Sequence, residues 1–326
     1  MSEYDFSKVE AFVIDPQLNA QRLLRDVLAR IDMKSCQNFE RVDDALAALR
    51  TALVDLILVD AADTESDAFR LIRTIRHEAG TLNPFACIVV TTWAPTQPLL
   101  LKVANSGADD LIVKPVSPKQ MQDRALTLIE QRKNFVVTSD FIGPDRRKGA
   151  RASAAVPVVD VPNSLRLKAL GQWDRLDPHE MIARASRQIN QHKLSRNTVQ
   201  MAFLVEFAIP GLIKSPPDRM ALDHIGRIPS FFEDLLRRLP EGEGRAKMEA
   251  VGGSLTGLIE RIRERTGQGA DKTELMQMRN LAYGIMRAIT PDRPQEAMVK
   301  EVADAVAAYR ARLDQIAAQK SAPAAG

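Results

Sequence analysis

Leu56-Ile57-Leu58-Val59-Asp60 decides the reading of the first half of this 326-residue chain. Four consecutive apolar residues suit a strand buried on both faces, as in a parallel sheet. The carboxylate that closes it falls at the carboxyl end of a strand, where open α/β sheets bind ligands. Two other segments share the design. Ala11-Phe12-Val13-Ile14 runs into Asp15, and Cys87-Ile88-Val89-Val90 runs into Thr91-Thr92. A further strand, Leu111-Ile112-Val113, runs into Lys114-Pro115. Two acids, a hydroxyl and a lysine are thereby brought to one edge of one sheet.

Helical patterns alternate with these strands. Leu23, Leu24, Val27, Leu28 and Ile31 form one apolar stripe over residues 18–31, and residues 43–53, 68–78, 98–105 and 118–131 carry four more helices. Ser117-Pro118 opens the last with a preferred N-cap and a first-turn proline. Residues 35–39 complete a set of five strands. Strands alternating with helices predict a doubly wound α/β fold around a five-stranded parallel sheet.

The constellation resembles the receiver domain of bacterial two-component response regulators, over residues 1–134. Asp60 matches the phospho-acceptor, Asp15 the first acid of the acidic pair, Thr92 the switch hydroxyl and Lys114 the phosphate-binding lysine. Gly107-Ala108-Asp109-Asp110 matches the turn before the last strand. The resemblance implies phosphorelay signalling, with a sensor histidine kinase or phosphotransfer protein as partner. It implies Mg²⁺ held by Asp15, Asp60 and the backbone carbonyl of Ala62, and a cis peptide before Pro115. The sequence also departs from the pattern. The second acid is Pro16, the aromatic switch position is Leu111, and Ala68 and Thr64 replace a glycine and a proline around the third helix. Loss of one carboxylate is expected to weaken metal binding by at least ~10–100-fold. Asp63 is the candidate substitute; its other reading is a cap on the following helix. A receiver used as a docking module without phosphorylation is the alternative.

Residues 135–170 change character and read as a linker, with a turn and a basic cluster at Gly143-Pro144-Asp145-Arg146-Arg147-Lys148. Arg147 and Arg151 fit the RxxxR spacing of cyclic-di-nucleotide-binding PilZ barrels, but that family's second motif is absent. Residues 171–320 read as an all-α output or interaction domain. Asp177-Pro178-His179-Glu180 is a helix start signal. Six apolar stripes follow, the second ending at Pro210-Gly211 and the fourth interrupted by Gly252-Gly253. The last, from Met298 to Ile316, follows a heptad seam; its readings are bundle core or a helix that pairs two chains into a homodimer.

Other function classes find little support. Net charge is +3 and aromatics are 5%, which argues against nucleic acid as a partner. Residues 1–135 hold 16 basic and 19 acidic side chains, a net of −3. Leu194-Ser195-Arg196-Asn197-Thr198-Val199 is the one candidate start of a DNA recognition helix, but it continues as apolar Met201-Ala202-Phe203-Leu204-Val205. His77, His179, His192 and His224 lack a phosphotransfer or metal context. Cys36 and Cys87 lack metal or CxxC spacing. No catalytic motif is found, so the expectation is a signalling protein rather than an enzyme. No apolar run approaches a membrane span and no signal peptide is evident, which predicts a cytoplasmic protein with an unidentified output partner.

Overall fold

The computed structural model describes residues 4–78, 80–147, 156–265 and 267–321. The chain divides into two compact units, Met1–Ile189 and Asn190–Gly326.

The first unit is built on five parallel strands, β1 (Glu10–Ile14), β2 (Ser35–Phe39), β3 (Leu56–Asp60), β4 (Cys87–Thr92) and β5 (Asp110–Val113), in the order β2-β1-β3-β4-β5. Helices α1 (Leu18–Arg30), α2 (Val42–Ala48), α3 (Ala68–His77), α4 (Gln97–Ala104) and α5 (Pro118–Glu130) connect and follow them. Strand alternation divides the apolar residues into two cores. Ala11, Val13, Leu56, Leu58, Cys87 and Val89 pack with α1 and α5. Phe12, Ile14, Ile57, Val59, Ile88 and Val90 pack with α2, α3 and α4. The doubly wound fold expected from the sequence is the one found. Ser117 caps α5 in a full capping box with Gln120.

The linker expected over residues 135–170 takes another form where it is described. Strand β6 (Phe135–Val137) pairs antiparallel with β7 (Ile142–Pro144) and β8 (Val158–Val159). Phe135, Val137, Ile142 and Val159 are fully buried with Phe85 and with Ile182, Ala185 and Ile189. Helix α6 (Ser164–Ala169) buries Leu165 and Ala169 in the first core, and its Lys168 ammonium meets buried Asp55 at 2.8 Å. Strands of two or three residues are too short to show an alternation, and the proline-rich composition masks them. Arg151, the second arginine of the RxxxR spacing, lies outside the described residues, as do Lys148 and the tail beyond Ser321.

The second unit is helical. Helix α7 (Pro178–Leu212) begins in the first unit and continues into the second; then come α8 (Arg219–Ile225), α9 (Ile228–Arg238), α10 (Glu243–Glu264), α11 (Lys272–Ile289) and α12 (Gln295–Ser321). The two stripes expected to flank residue 194 are one helix. Residues 194–199 therefore open nothing: Asn197 and Thr198 are fully buried in mid-helix, which corrects the recognition-helix reading. Pro210 lies inside the last turn rather than ending the helix. Met201, Leu204, Val205, Leu235, Leu255, Ile259 and Ile285 form the main core. Met298, Val302 and Val306 of α12 bury against Phe207 and Met286, while Ile316 is exposed.

Two features of this unit generate measurable outcomes. A Cβ on Gly252 would lie 1.7 Å from the Phe232 ring, whereas one on Gly253 meets nothing within 4 Å. The Gly-Gly pair thus permits close packing of α10 on α9 and does not break the helix. Gly252→Ala should cost about 1–3 kcal/mol through overpacking, and Gly253→Ala should gain about 0.5–1 kcal/mol from helix propensity. Thermal melts of the two variants should move in opposite directions. The other feature is a buried polar cluster. Asp234 accepts from the Asn197 amide at 2.8 Å and from Arg238 Nε at 3.1 Å, with Lys193 Nζ at 3.6 Å. Burial pushes the Asp234 carboxyl up, but Arg238, Asn197 and Lys193 outweigh it and hold the group down at about 2. A carboxyl lowered on folding stabilises the protein above its unfolded value, and that contribution is lost as pH falls toward the folded value. Stability should therefore drop between about pH 4 and pH 2. Asp234→Asn should cost about 3–5 kcal/mol at pH 7 and flatten that dependence in acid melts.

Candidate functional site

Strand alternation also sets the site. Asp15 continues the Ala11-Val13 row, Asp60 the Leu56-Leu58 row and Thr91 the Cys87-Val89 row, so all three fall on the α1 and α5 side of the sheet. Lys114 follows buried Ile112 by two residues and joins the same side. Its ammonium lies 2.7 Å from Asp15 Oδ2 and 2.5 Å from Asp60 Oδ1. The three charged groups are almost wholly buried; Asp60 keeps the greatest access, with 10% of its side chain exposed. One cation thus bridges two carboxylates that would otherwise repel each other in a low-dielectric pocket.

Local structure holds each partner in place. Asp15 Oδ1 accepts from the Gln17 backbone at 2.8 Å, across Pro16. The buried Gln21 amide donates to the carbonyls of Asp15 and Phe39, which fixes the β1–α1 turn against β2. The Lys114 backbone donates to the Thr92 carbonyl at 2.7 Å, and the Lys114–Pro115 peptide is cis. Burial pushes the Asp60 carboxyl above the usual carboxylate range, against the opposing pull of Lys114.

The other expected residues stand apart from this contact. Thr92 is buried, and its Oγ1 accepts from the Ala94 backbone at 3.3 Å. Asp63 is exposed; its Oδ1 accepts from the Glu65 backbone and the Ser66 hydroxyl. It organises the loop before α3, whose N-cap position is Asp67. Ala62 sits exposed in the same loop. Among the described residues no three His, Cys, Asp or Glu side chains gather into a metal cluster. Two carboxylates and a main-chain carbonyl nevertheless suit Mg²⁺, which binds through few protein oxygens and keeps several waters.

Sequence reasoning missed two neighbours. Trp93 is 48% exposed, and its ring lies over the Lys114 ammonium at 5.0 Å, a cation–π contact at the mouth of the site. Its place directly after Thr92 was the available signal. Thr91 pairs in register with Asp60 and buries an Oγ1 that has no hydrogen-bond partner among the described residues.

Comparison with known proteins finds matches to the first unit. Residues 11–126 match the family model described as the response regulator receiver domain, so the chain carries such a domain. The transcriptional regulatory protein ResD of Bacillus subtilis is 29% identical over 125 residues, 38% of this chain and 50% of that protein. The cyclic di-GMP phosphodiesterase response regulator RpfG of Xanthomonas campestris is 26% identical over 121 residues, 37% of this chain and 32% of that protein. The chain spans half or less of the length of these relatives. Among solved structures, the chemotaxis response regulator CheY4 of Vibrio cholerae aligns with 37% of this chain and 98% of its own, at 17% identity and a TM-score of 0.33.

Removing the bridging cation should expose its role. Lys114→Met leaves two buried carboxylates facing each other without compensation, and should cost about 3–5 kcal/mol at pH 7. The loss should shrink on acidification, because unpaired buried carboxyls protonate more readily. Urea unfolding at pH 7 and pH 5 checks both the size and the sign.

Proposed function

We propose that the chain is a cytoplasmic response regulator that accepts a phosphoryl group on Asp60 from a histidine kinase or phosphotransfer protein. The observation that carries this reading is the Lys114 ammonium held between Asp15 and Asp60 at the carboxyl ends of the strands. Asp60 Oδ attacks the donor phosphorus, and the bond to the donor's leaving atom breaks as the acyl phosphate forms. Lys114 neutralises the phosphoryl oxygens at closest range. Asp15, Asp60 and the Ala62 carbonyl are the groups that would hold Mg²⁺, which when bound adds charge neutralisation. Thr92 turns from the Ala94 backbone toward the new acceptor oxygens, and Lys114 leaves Asp15 for them. The added charge of about −1.5 to −2 is the signal. The helical unit then acts through protein contact, and a change from 10% to 90% active requires a bias of about 2.6 kcal/mol.

A second reading is favoured by Pro16 and by the closed ion pair. Lys114 already bridges both carboxylates, so the receiver would serve as a docking module without phosphorylation. One experiment separates the two. Incubation with acetyl phosphate and Mg²⁺, followed by intact mass, should add one phosphoryl group, and Asp60→Asn should abolish it. In a Trp173→Phe background, Trp93 emission should change with the same time course as Lys114 leaves its ring. An unmodified wild-type chain would favour the docking module, and labelling that survives in Asp60→Asn would refute the assignment of Asp60.

A further inference from the structure

We propose that the first unit holds a second binding site, remote from Asp60, for a small phosphate-bearing molecule with an apolar body, the chemistry of a nucleotide. A cleft of about 580 Å³ opens between the end of α5, the segment after β8 with α6, and the first turns of α7. Its volume lies within the roughly 300–1,000 Å³ typical of small-molecule sites. Three elements each send a cation to it: Lys133 after α5, Arg166 on α6 and Arg184 on α7. Among the described residues Lys133 and Arg184 are in no hydrogen bond or ion pair, although Lys133 interacts electrostatically with Asp145. Arg166 commits one nitrogen to the Ile129 carbonyl at 3.1 Å and keeps its remaining donors.

Charge balance points to an anion. The first unit has as many acidic as basic side chains, yet this cleft gathers cations. Of its two carboxylates, Glu130 already accepts from the Tyr4 hydroxyl at 3.1 Å, and Asp160 is exposed. Like charges converging on one concavity repel, and a multiply charged phosphate group relieves that repulsion while satisfying several donors at once. The lining also includes apolar side chains, Val161, Leu167 and Met181. These match a base or comparable flat group rather than free phosphate. The site does not depend on the chemistry proposed for Asp60, because none of its residues touches Asp15, Asp60 or Lys114.

Calorimetric titration of the full-length Asp60→Asn protein with ATP, without Mg²⁺, isolates this cleft from the strand-end pocket. Single-site binding should weaken at least ~10-fold in a Lys133→Gln, Arg184→Gln double variant and fall with added salt. Both positions are exposed, so circular dichroism should be unchanged in the variant. Pyrophosphate, which lacks the apolar body, should bind more weakly than ATP. No ATP binding at millimolar concentration, or equal binding in the double variant, would overturn the site. Pyrophosphate binding as tightly as ATP would overturn the ligand class.

Discussion

A parallel strand buried on both faces can carry charge only at its ends, and this constraint organises the first unit. β1, β3 and β4 are apolar between their ends, and Asp15, Asp60 and Lys114 collect at one edge of the sheet. Alternation then puts them on one side of it. Two carboxylates so placed repel each other and resist desolvation, and the lysine makes their coexistence possible. The same burial raises Asp60, although it is the more accessible of the two carboxyls. Functional sites commonly sit under such tension, because the groups that do chemistry are not those that maximise stability.

The sheet and its edge were legible in the sequence because each signal was long. Five strand–helix alternations leave few topologies, and acids at two strand ends with a lysine at a third leave few sites. What was not legible depended on contacts between distant short segments. β6, β7 and β8 contribute eight residues between them, and their stability comes from Phe85 and the first turns of α7. The Trp93 ring over Lys114 is a tertiary contact with no periodic trace. In the helical unit the stripes were visible, but their continuity was not: one apolar stripe ends at Ile189 and the next begins at Val199, and a single helix spans both and buries Lys193 against Asp234. Asp63 offered the right residue type, and the turn that engages its Oδ1 is a local contact the sequence did not show.

Buried charge recurs away from the candidate site, and there it serves architecture. Arg76 of α3 donates to the carbonyls of Gly107, Pro84 and Ala86 and to Asp109. Arg132, just past α5, meets the same Asp109 at 2.8 Å. Both guanidiniums lie over the Phe135 ring, at 5.0 and 5.2 Å. Gly107, with φ at +96°, lets this turn approach β7 so closely that a Cβ would stand 2.6 Å from the Ile142 carbonyl oxygen. Ion pairs of this kind add less to net stability than their number suggests, but they tolerate few alternative arrangements.

That grip has a consequence for modularity. The strands that follow α5 are fastened to the amino-terminal end of β5, the strand whose other end presents Lys114. A receiver excised at residue 134 would lose the ring between Arg76 and Arg132 and uncover Phe85 and the turn at Gly107. The portable unit of this architecture is therefore longer than the stretch that matches the family. Recombination that grafts this receiver onto another effector would have to carry the β6–β8 strands with it, and evolution by domain shuffling would meet the same toll.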